Sequence, residues 1–145
     1  MTNRVCKALN IRYPIVQGAM AWNSMPELVS AVSNAGGLGV LGSGPMPADI
    51  ALENIEKIRS MTDNPFGVNV FLDAGPMLEE KAEKLSSVNI PVIYIDTLNI
   101  LTYDFTKKYY DIFKAGGSKI VAKINCLEDA VVAEQCGADV IIAKG

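Results

Sequence analysis

The chain has 145 residues, of which 50% are hydrophobic and 20% are charged, and its formal net charge is −3. This length suits one domain with its own core, so we expect residues 1–145 to form a single domain. The acidic balance speaks against binding to nucleic acid, and no apolar run approaches the ~18 residues of a membrane span. We therefore expect no nucleic-acid partner and no membrane association.

The cysteine and histidine content narrows the chemistry. Cys6, Cys126 and Cys136 are an odd number without a C-x-x-C pair, which predicts reduced thiols in the cytoplasm rather than disulfides. The N-terminus lacks the apolar stretch of a signal peptide. The sequence contains no histidine, the commonest general base and metal ligand, so we expect no metal site. Proton chemistry must then use another group or one outside this chain.

Short apolar segments alternate along the chain with stretches of helical periodicity. Six strands are predicted, at Pro14–Met20, Leu38–Gly42, Gly67–Leu72, Pro91–Asp96, Lys119–Ile124 and Ala138–Ala143. Most of them are almost continuously apolar, which is typical of parallel strands covered by helices. Consecutive strands begin about 20 to 30 residues apart, the length of one βα unit.

Five amphipathic helices are predicted between these strands. The first opens with Ser24-x-x-Glu27, which matches a capping box, and has Pro26 in its first turn. The apolar positions expected to face the sheet are Leu28, Val32 and Ala35; Leu52, Ile55 and Ile58; Leu78, Ala82 and Leu85; Tyr109, Ile112 and Phe113; and Leu127, Ala130 and Val131. We expect the charged run Glu79–Lys84 to be a solvated face without chemistry.

The segment Gly37–Gly42 matches the pattern G-x-G-x-x-G. In a dinucleotide-binding site these glycines follow a strand and open a helix. Here they follow a helix and begin the second predicted strand. We reject a dinucleotide site at this segment and expect a helix C-cap followed by a tightly packed strand.

The repeated βα unit predicts a parallel sheet with right-handed crossovers, and two architectures fit it. A doubly wound sheet of five or six strands would be complete at about this length, whereas a (β/α)₈ TIM barrel needs about 250 residues. The last residues form a predicted strand without a covering helix, which indicates a barrel cut before closure. Spacing alone does not choose between the two.

The residues that follow the first predicted strand form a candidate binding segment. Ligands meet the C-terminal ends of the strands in both architectures. Gly18 permits close approach of the backbone to a ligand. Ala19, Met20 and Ala21 offer small apolar contacts together with backbone N–H and C=O groups. Such a segment suits the edge and face of a planar heterocycle.

Two polar residues lie within otherwise apolar strands. The Asn69 amide can donate and accept at once, which matches the edge of a flavin pyrimidine. Lys123 is out of place in a core strand unless its ammonium reaches a polar site. Near a flavin N1–C2=O group, its charge would stabilise the anion formed on reduction. The alternatives are that Gln17 and Asn69 satisfy local backbone groups and that Lys123 ends a strand in solvent.

Four segments resemble, in register, the FMN-dependent nitronate monooxygenases (2-nitropropane dioxygenases) and enoyl-ACP reductases II. They are Tyr13–Trp22 (YPIVQGAMAW), Ala35–Gly39 (AGGLG), Met61–Asn69 (MTDNPFGVN) and Cys136–Gly145 (CGADVIIAKG). The resemblance implies the N-terminal six strands of a TIM barrel, truncated before barrel closure. It also implies that Gly18–Ala21 and Asn69 contact the isoalloxazine ring. Lys123 matches a lysine that many of the monooxygenases place near the flavin pyrimidine and that the reductases often lack.

The resemblance implies an FMN-dependent oxidoreductase with one of two small-molecule substrates. It would oxidise a nitronate with O₂, or it would pass hydride from NAD(P)H through FMN to an enoyl thioester; a homodimer is left open. The family's catalytic histidine and phosphate-binding loops fall after Gly145, so these residues alone are expected to be inactive. Two positions depart from the family pattern. Asp96–Asn99 stands where the reductases tend to have a glycine-rich turn, so the resemblance does not define the substrate shape near the ring, and Lys144 stands where relatives often carry an acidic residue.

Two other interpretations are weighed against this one. A complete doubly wound, flavodoxin-like binding domain would need a Ser/Thr/Gly phosphate loop after the first strand, and Gln17–Trp22 is not one. A non-catalytic barrel fragment would be colourless after purification, so retained yellow FMN would count against it.

Overall fold

The strands of the sheet lie in chain order, and each pairs in parallel with the next. The computed structural model describes residues 3–144. Within them the strands are β1 (Gly39–Leu41), β2 (Phe66–Phe71), β3 (Val92–Asp96), β4 (Lys119–Ile124) and β5 (Val140–Ala143). The helices are α1 (Arg4–Leu9), α2 (Pro26–Asn34), α3 (Ala48–Met61), α4 (Pro76–Ser86), α5 (Tyr103–Ala115) and α6 (Leu127–Cys136).

This strand order distinguishes the two predicted architectures. A doubly wound sheet reverses its strand order once and so carries helices on both faces. Here every crossover moves to the next strand in the same direction, and right-handed crossovers of that kind place the connecting helices on one face. The order β1-β2-β3-β4-β5 is therefore that of a barrel wall, as predicted, and it excludes the doubly wound alternative for the described residues.

The two faces of the sheet carry two separate apolar clusters. The outer face, covered by α2–α6, contributes Val68, Val70, Ile93, Ile95, Ile120 and Ala122 to the larger cluster. The opposite face, here called the inner face, contributes Val40, Val92, Tyr94 and Val121 to the smaller one. Side chains alternate between faces along a strand, so these clusters fix which polar residues share the inner face.

Five of the six predicted strands are confirmed to within two residues at either end, and the first is wrong. Between Pro14 and Met20 the described chain forms one isolated parallel bridge, Val16 with Leu38. Beyond this bridge the Gln17 side chain bonds to the neighbouring strand. Val40 N–H donates to Gln17 Oε1 at 3.2 Å, and Gln17 Nε2 donates to Val40 O at 3.4 Å. A side chain therefore replaces the backbone ladder.

Helices α3, α4 and α5 bury most of the apolar positions predicted for them. The buried side chains are Ile55, Ile58, Leu78, Ala82, Leu85, Tyr109 and Phe113, and Leu52 and Ile112 are partly buried. Positive-φ glycines follow α2 and α6 at Gly36 (+98°) and Gly137 (+97°), a conformation that commonly ends a helix.

The faces predicted for the first and last helices are wrong in part, since of the predicted positions only Val32 of α2 and Ala130 of α6 are partly buried. Leu28 of α2 is exposed, and Val29 packs in its place. In α6, Leu127 and Val131 are exposed, and the buried residues are Asp129, Ala133 and Cys136. The Asp129 carboxylate accepts from Leu101 N–H at 2.8 Å, and this bond turns the polar side of α6 inward. A buried carboxylate was not expected from the apolar pattern.

The short helix α1 was not predicted, because six residues are too few to show a period. Asn3 caps it by accepting from Val5 N–H at 2.8 Å, and Asn10 ends it in the left-handed region. Leu9 and the following Ile11 are buried against the inner face, beside Val40 and Val92. Among residues 3–144, no helix has the length and apolar character needed to cross a membrane.

The contact between α2 and β1 leads to a first prediction. An alanine Cβ at position 39 would lie 2.1 Å from the Val29 carbonyl oxygen, so α2 would have to move away from β1. We expect Gly39→Ala to lower the free energy of unfolding by about 1–3 kcal/mol. The measurement is urea unfolding, followed by circular dichroism, of the protein that contains this chain.

Gly18→Ala is the matched control, because nothing lies within 4 Å of a Cβ at that position. Its unfolding should stay within about 0.5 kcal/mol of wild type. Equal stability of the two variants would contradict the close approach of α2.

Candidate functional site

Polar side chains gather at the C-terminal end of the inner face. Val68 and Val70 point into the outer cluster, so Asn69 and Phe71 point inward. The pairing register aligns Asn69 with Tyr94 and Phe71 with Asp96. Lys123, on β4, shares the inner face with Val121 of the inner cluster. The predicted residues Asn69 and Lys123 thus lie on one face, on strands separated only by β3.

The predicted binding segment Gly18–Ala21 is held against β1 by Gln17 and Ser24. Ser24 Oγ accepts from Gln17 Nε2 at 2.7 Å and from Met20 N–H at 3.0 Å. The Ser24 carbonyl accepts from Gly42 N–H at 3.0 Å. The predicted capping box is therefore wrong: α2 begins after Met25, which makes no side-chain cap, and the Ser24 hydroxyl is used by the binding segment. The Gln17 side chain hydrogen-bonds to nearby backbone groups, as one of the alternatives for this residue predicts.

Gly18 presents open backbone on this segment. Nothing lies within 4 Å of a Cβ placed there, and Gly18 and Ala21 are exposed, as is 45% of Met20. Ala19 packs in part against the inner cluster. A flat ligand can therefore approach the Gly18 backbone without displacing any side chain.

The end of β1 connects this segment to Asn69. A Cβ at Gly42 would lie 2.3 Å from the Met20 carbonyl oxygen, and one at Gly44 would lie 2.7 Å from both Asn69 Oδ1 and the Phe71 ring. Both glycines therefore allow close packing. The loop after β1 thus packs against the segment Gly18–Ala21 on one side and against Asn69 on the other.

Asn69 itself is 2% exposed. Its Nδ2 donates to Tyr94 O at 3.2 Å, and its backbone carbonyl accepts from Ser43 Oγ at 2.7 Å. Part of its hydrogen-bonding capacity is thus used within the sheet, as the local-backbone alternative predicts, while Oδ1 faces Gly44.

Lys123 does not end its strand in solvent. Its Nζ forms an ion pair with Asp96 Oδ1, and each side chain is 16% exposed. Asp96 Oδ1, the oxygen that faces Lys123 Nζ, is buried. Burial, together with the Asp96 charge, raises the pKa of the neighbouring Tyr94, which stays protonated near neutral pH. The inner face therefore carries a paired cation and anion at its C-terminal end.

The prediction that Glu79–Lys84 is a solvated face is wrong at Lys81, which is 2% exposed. Its Nζ donates to the carbonyl oxygens of Gly44 at 3.0 Å, Met46 at 2.8 Å and Ser43. Lys81 therefore anchors the loop after β1 next to Asn69. Burial lowers the pKa of Lys81 to about 8, and the three carbonyl acceptors favour the charged form.

A second polar network stabilises the loops after β2 and β3. Asp73 Oδ2 accepts from Thr97 Oγ1 at 2.9 Å and from Leu98 N–H at 2.6 Å, and Asn125 Nδ2 donates to Thr97 O at 3.1 Å. A cavity of about 260 Å³ beside it is lined by Leu72, Asp73, Thr97, Asn99, Ile100 and Phe105. Because Leu72 belongs to the outer cluster, this cavity lies at the rim of the sheet and not on the inner face.

The comparisons with known proteins identify the family. A family model described as nitronate monooxygenase matches residues 2–145. The chain belongs to the nitronate monooxygenase family. A probable nitronate monooxygenase of Staphylococcus aureus (strain Newman) is 29% identical over 172 residues, which cover 99% of this chain and 48% of the relative. The chain spans about half the length of the curated relatives it matches.

Solved structures agree with this family. FabK from Thermotoga maritima is 35% identical with a TM-score of 0.88, over 100% of this chain and 44% of that chain. A nitroalkane oxidase from Streptomyces ansochromogenes is 26% identical with a TM-score of 0.83, over 99% of this chain and 49% of that chain. Both are TIM barrels, so the five parallel strands are part of a (β/α)₈ barrel wall.

The sequence analysis does not predict the contacts of two polar residues of this chain, Lys81 and Asp96. Lys81 follows Leu78 by three residues and precedes Leu85 by four, and this spacing alone places it on the buried face of α4. Asp96 ends the strand next to that of Lys123, and this placement brings its carboxylate close enough to form an ion pair with the Lys123 ammonium. The three cysteines are free thiols, and Cys136 is buried.

The anchoring of the β1 loop leads to a second prediction. Lys81→Met keeps the size of the side chain and leaves the carbonyls of Ser43, Gly44 and Met46 without their buried donor. We expect the free energy of unfolding to fall by about 1–3 kcal/mol. Lys84→Met is the matched control on the same helix, because Lys84 pairs with Asp49 and Glu80 at the surface and should cost at most about 1 kcal/mol.

The pH dependence of this effect has a definite sign. The folded-state pKa of Lys81, about 8, lies below the ~10.4 of an unfolded lysine. Between these values the unfolded chain binds more protons at this position, so the contribution of Lys81 to stability rises with pH. The stability difference between wild type and Lys81→Met should widen from about pH 7 to about pH 10. A difference that narrows in urea titrations over this range would contradict the assignment.

Proposed function

We propose that the protein containing this chain is an FMN-dependent oxidoreductase that binds the isoalloxazine ring at the C-terminal end of the inner face. The observation that carries this proposal is the open backbone at Gly18, whose segment is joined to Asn69 by the closely packed loop after β1. Membership of the nitronate monooxygenase family over residues 2–145 supports it. We also propose that these residues belong to one domain and, from their free thiols, that the protein is cytoplasmic.

The donors and acceptors present suit a flavin. The pyrimidine edge of the ring has carbonyl oxygens on either side of an N–H group, and it needs donors and an acceptor in one plane. The backbone groups of Gly18–Ala21, the Asn69 amide and the Lys123 ammonium supply this set. FMN, when bound, would supply the two-electron chemistry that these side chains lack.

Each proposed residue has a separate role. Gly18 lets the ring approach the backbone, and Ala19, Met20 and Ala21 exclude water from its edge. Asn69 is fixed by its bond to Tyr94 O, so its amide is preorganised for the ring. Lys123 places positive charge where negative charge develops on reduction.

Two reactions are open to such a site. Nitronate oxidation, with O₂ reoxidising the flavin, is favoured by the family model and by Lys123. Reduction of an enoyl thioester by NAD(P)H is the second candidate, favoured by the 35% identity to FabK, an enoyl-ACP reductase II. The first is our proposal for the whole protein, and the second is the alternative that the experiments must separate.

The third prediction tests the ring position. Gly18→Leu would fill the open space at the segment without meeting a neighbour within 4 Å of its Cβ. We expect FMN affinity to fall at least about tenfold, equal to about 1.4 kcal/mol, with the unfolding midpoint unchanged. Fluorescence titration of the apoprotein measures the affinity, and Gly18→Ala should show an intermediate loss. Unchanged affinity in Gly18→Leu would exclude this position for the ring.

The fourth prediction separates the two reactions. Without oxygen, an alkyl nitronate should bleach the visible flavin absorbance of the holoprotein, while NADH and NADPH should leave it unchanged. Admission of O₂ should then restore the absorbance. Rapid bleaching by NADH or NADPH would instead establish the reductase alternative, and bleaching by none of the three would contradict both reactions.

A further inference from the structure

We propose that Asp96 is a flavin-recognition residue that acts together with Lys123. The free carboxylate oxygen of Asp96 accepts from the flavin N3–H, and Lys123 donates to the adjacent carbonyl oxygen. The two opposite charges offset each other beside the ring. This inference rests on the proposed function and deepens it. It assigns a binding role to a residue that the sequence pattern left without one.

The position of Asp96 follows from the pairing of the strands. Ile95 belongs to the outer cluster and Tyr94 to the inner one, so Asp96 points to the inner face. The register pairs Ile95 with Ala122, which brings Asp96 beside Lys123 of the next strand. Both charged residues therefore lie one step beyond Asn69, toward the C-terminal ends of the strands where the ring is proposed to bind.

The bonding of the pair is incomplete in the described structure. An ammonium group has three donors, and Asp96 occupies one direction of the Lys123 group. Asp96 Oδ1 is the buried oxygen that faces Lys123 Nζ, and no hydrogen bond to Asp96 Oδ2 forms among the described residues. A carboxylate accepts hydrogen bonds at both of its oxygens, so Oδ2 can take a donor from a ligand. A ligand that brings an N–H group to Oδ2 would complete the bonding of this carboxylate.

The chemistry of the pair matches one edge of a flavin. N3–H is a donor flanked by two carbonyl oxygens, and a carboxylate beside an ammonium presents the complementary acceptor and donor. Asn69 suits N3–H less well, because its acceptor atom, Oδ1, faces Gly44 and its side chain is only 2% exposed. Asp96 is the more accessible acceptor, with 16% of its side chain exposed.

The charges also make a definite contribution to redox behaviour. A lone Lys123 would favour the reduced, anionic flavin, whereas a carboxylate in contact with it cancels most of that field at the ring. The pair therefore orients the flavin without strongly favouring either redox state. Removal of the Asp96 charge should shift the reduction potential of the flavin in one direction, and removal of the Lys123 charge should shift it in the opposite direction.

The experiment compares three variants of the FMN-loaded protein: Asp96→Asn, Lys123→Met and the double variant. Spectroelectrochemical titration measures the reduction potential, and sulfite titration gives a second readout that depends on charge near the ring. We expect Asp96→Asn to raise the preference for reduced over oxidised FMN about tenfold, or about 30 mV for a two-electron couple. Lys123→Met should lower it by a similar factor, and the double variant should return close to wild type.

Asp139→Asn is the matched control. Asp139 also forms ion pairs, with Lys114 and Lys119, and its side chain is 19% exposed, but it precedes β5 at the opposite end of the sheet. It should leave the potential and the sulfite affinity unchanged. Shifts of the same sign in Asp96→Asn and Lys123→Met, or no shift in either, would reduce the pair to a structural ion pair and overturn the inference.

Wild-type protein tests the hydrogen bond without any substitution that affects folding. N3-methyl-FMN lacks the N3–H group, and we expect it to bind at least about tenfold more weakly than FMN, with a smaller ratio in Asp96→Ala. Equal affinity of wild type for the two cofactors would overturn the role of Asp96. Failure of wild type to bind FMN at all would refute the proposed function itself, which keeps the two results distinct.

Discussion

The parallel register of β2, β3 and β4 determines which side chains can meet at the candidate site. It aligns Phe71 with Asp96 and brings Lys123 beside Asp96, so that two charges carried by neighbouring strands come into contact. A shift of one residue in either pair would turn these side chains into the outer apolar cluster, where an unpaired charge costs several kcal/mol, on the order of the whole stability of a domain. Burial of the outer face and formation of the site thus depend on the same register.

Side chains fix the loops where backbone pairing stops. Gln17 bonds to both backbone groups of Val40 in place of a longer first strand, and Ser24 holds the segment that begins at Gly18. Lys81 reaches from α4 to three carbonyls of the loop after β1. These are hydrogen bonds to backbone groups that the sheet does not pair, so they hold the loops around the site against the strands.

The sequence predicts the sheet better than it predicts these contacts. Continuous apolar runs with βα spacing indicate parallel strands, and four of the five later strands are buried along almost their whole length. The prediction of the first strand is wrong because the apolar pattern does not reveal whether backbone groups or a side chain make the hydrogen bonds. Here Val16 forms a single backbone bridge, and the Gln17 side chain makes the next bonds. The burial of Lys81 and Asp129 is not predicted for a related reason. A charged residue is expected to face water unless its partner, which lies far away in the sequence, is known.

The polar and charged groups of the inner face are suited to holding a ligand. Burial raises the pKa of Tyr94, which stays protonated near neutral pH, and Lys123 and Asp96 form an ion pair on the same face. The chain contains no histidine. If the proposed oxidation of a nitronate or reduction of an enoyl thioester needs an imidazole as general acid or base, that group must come from residues outside these 145. The described surface then acts by orienting the ring and setting the charge at its edge.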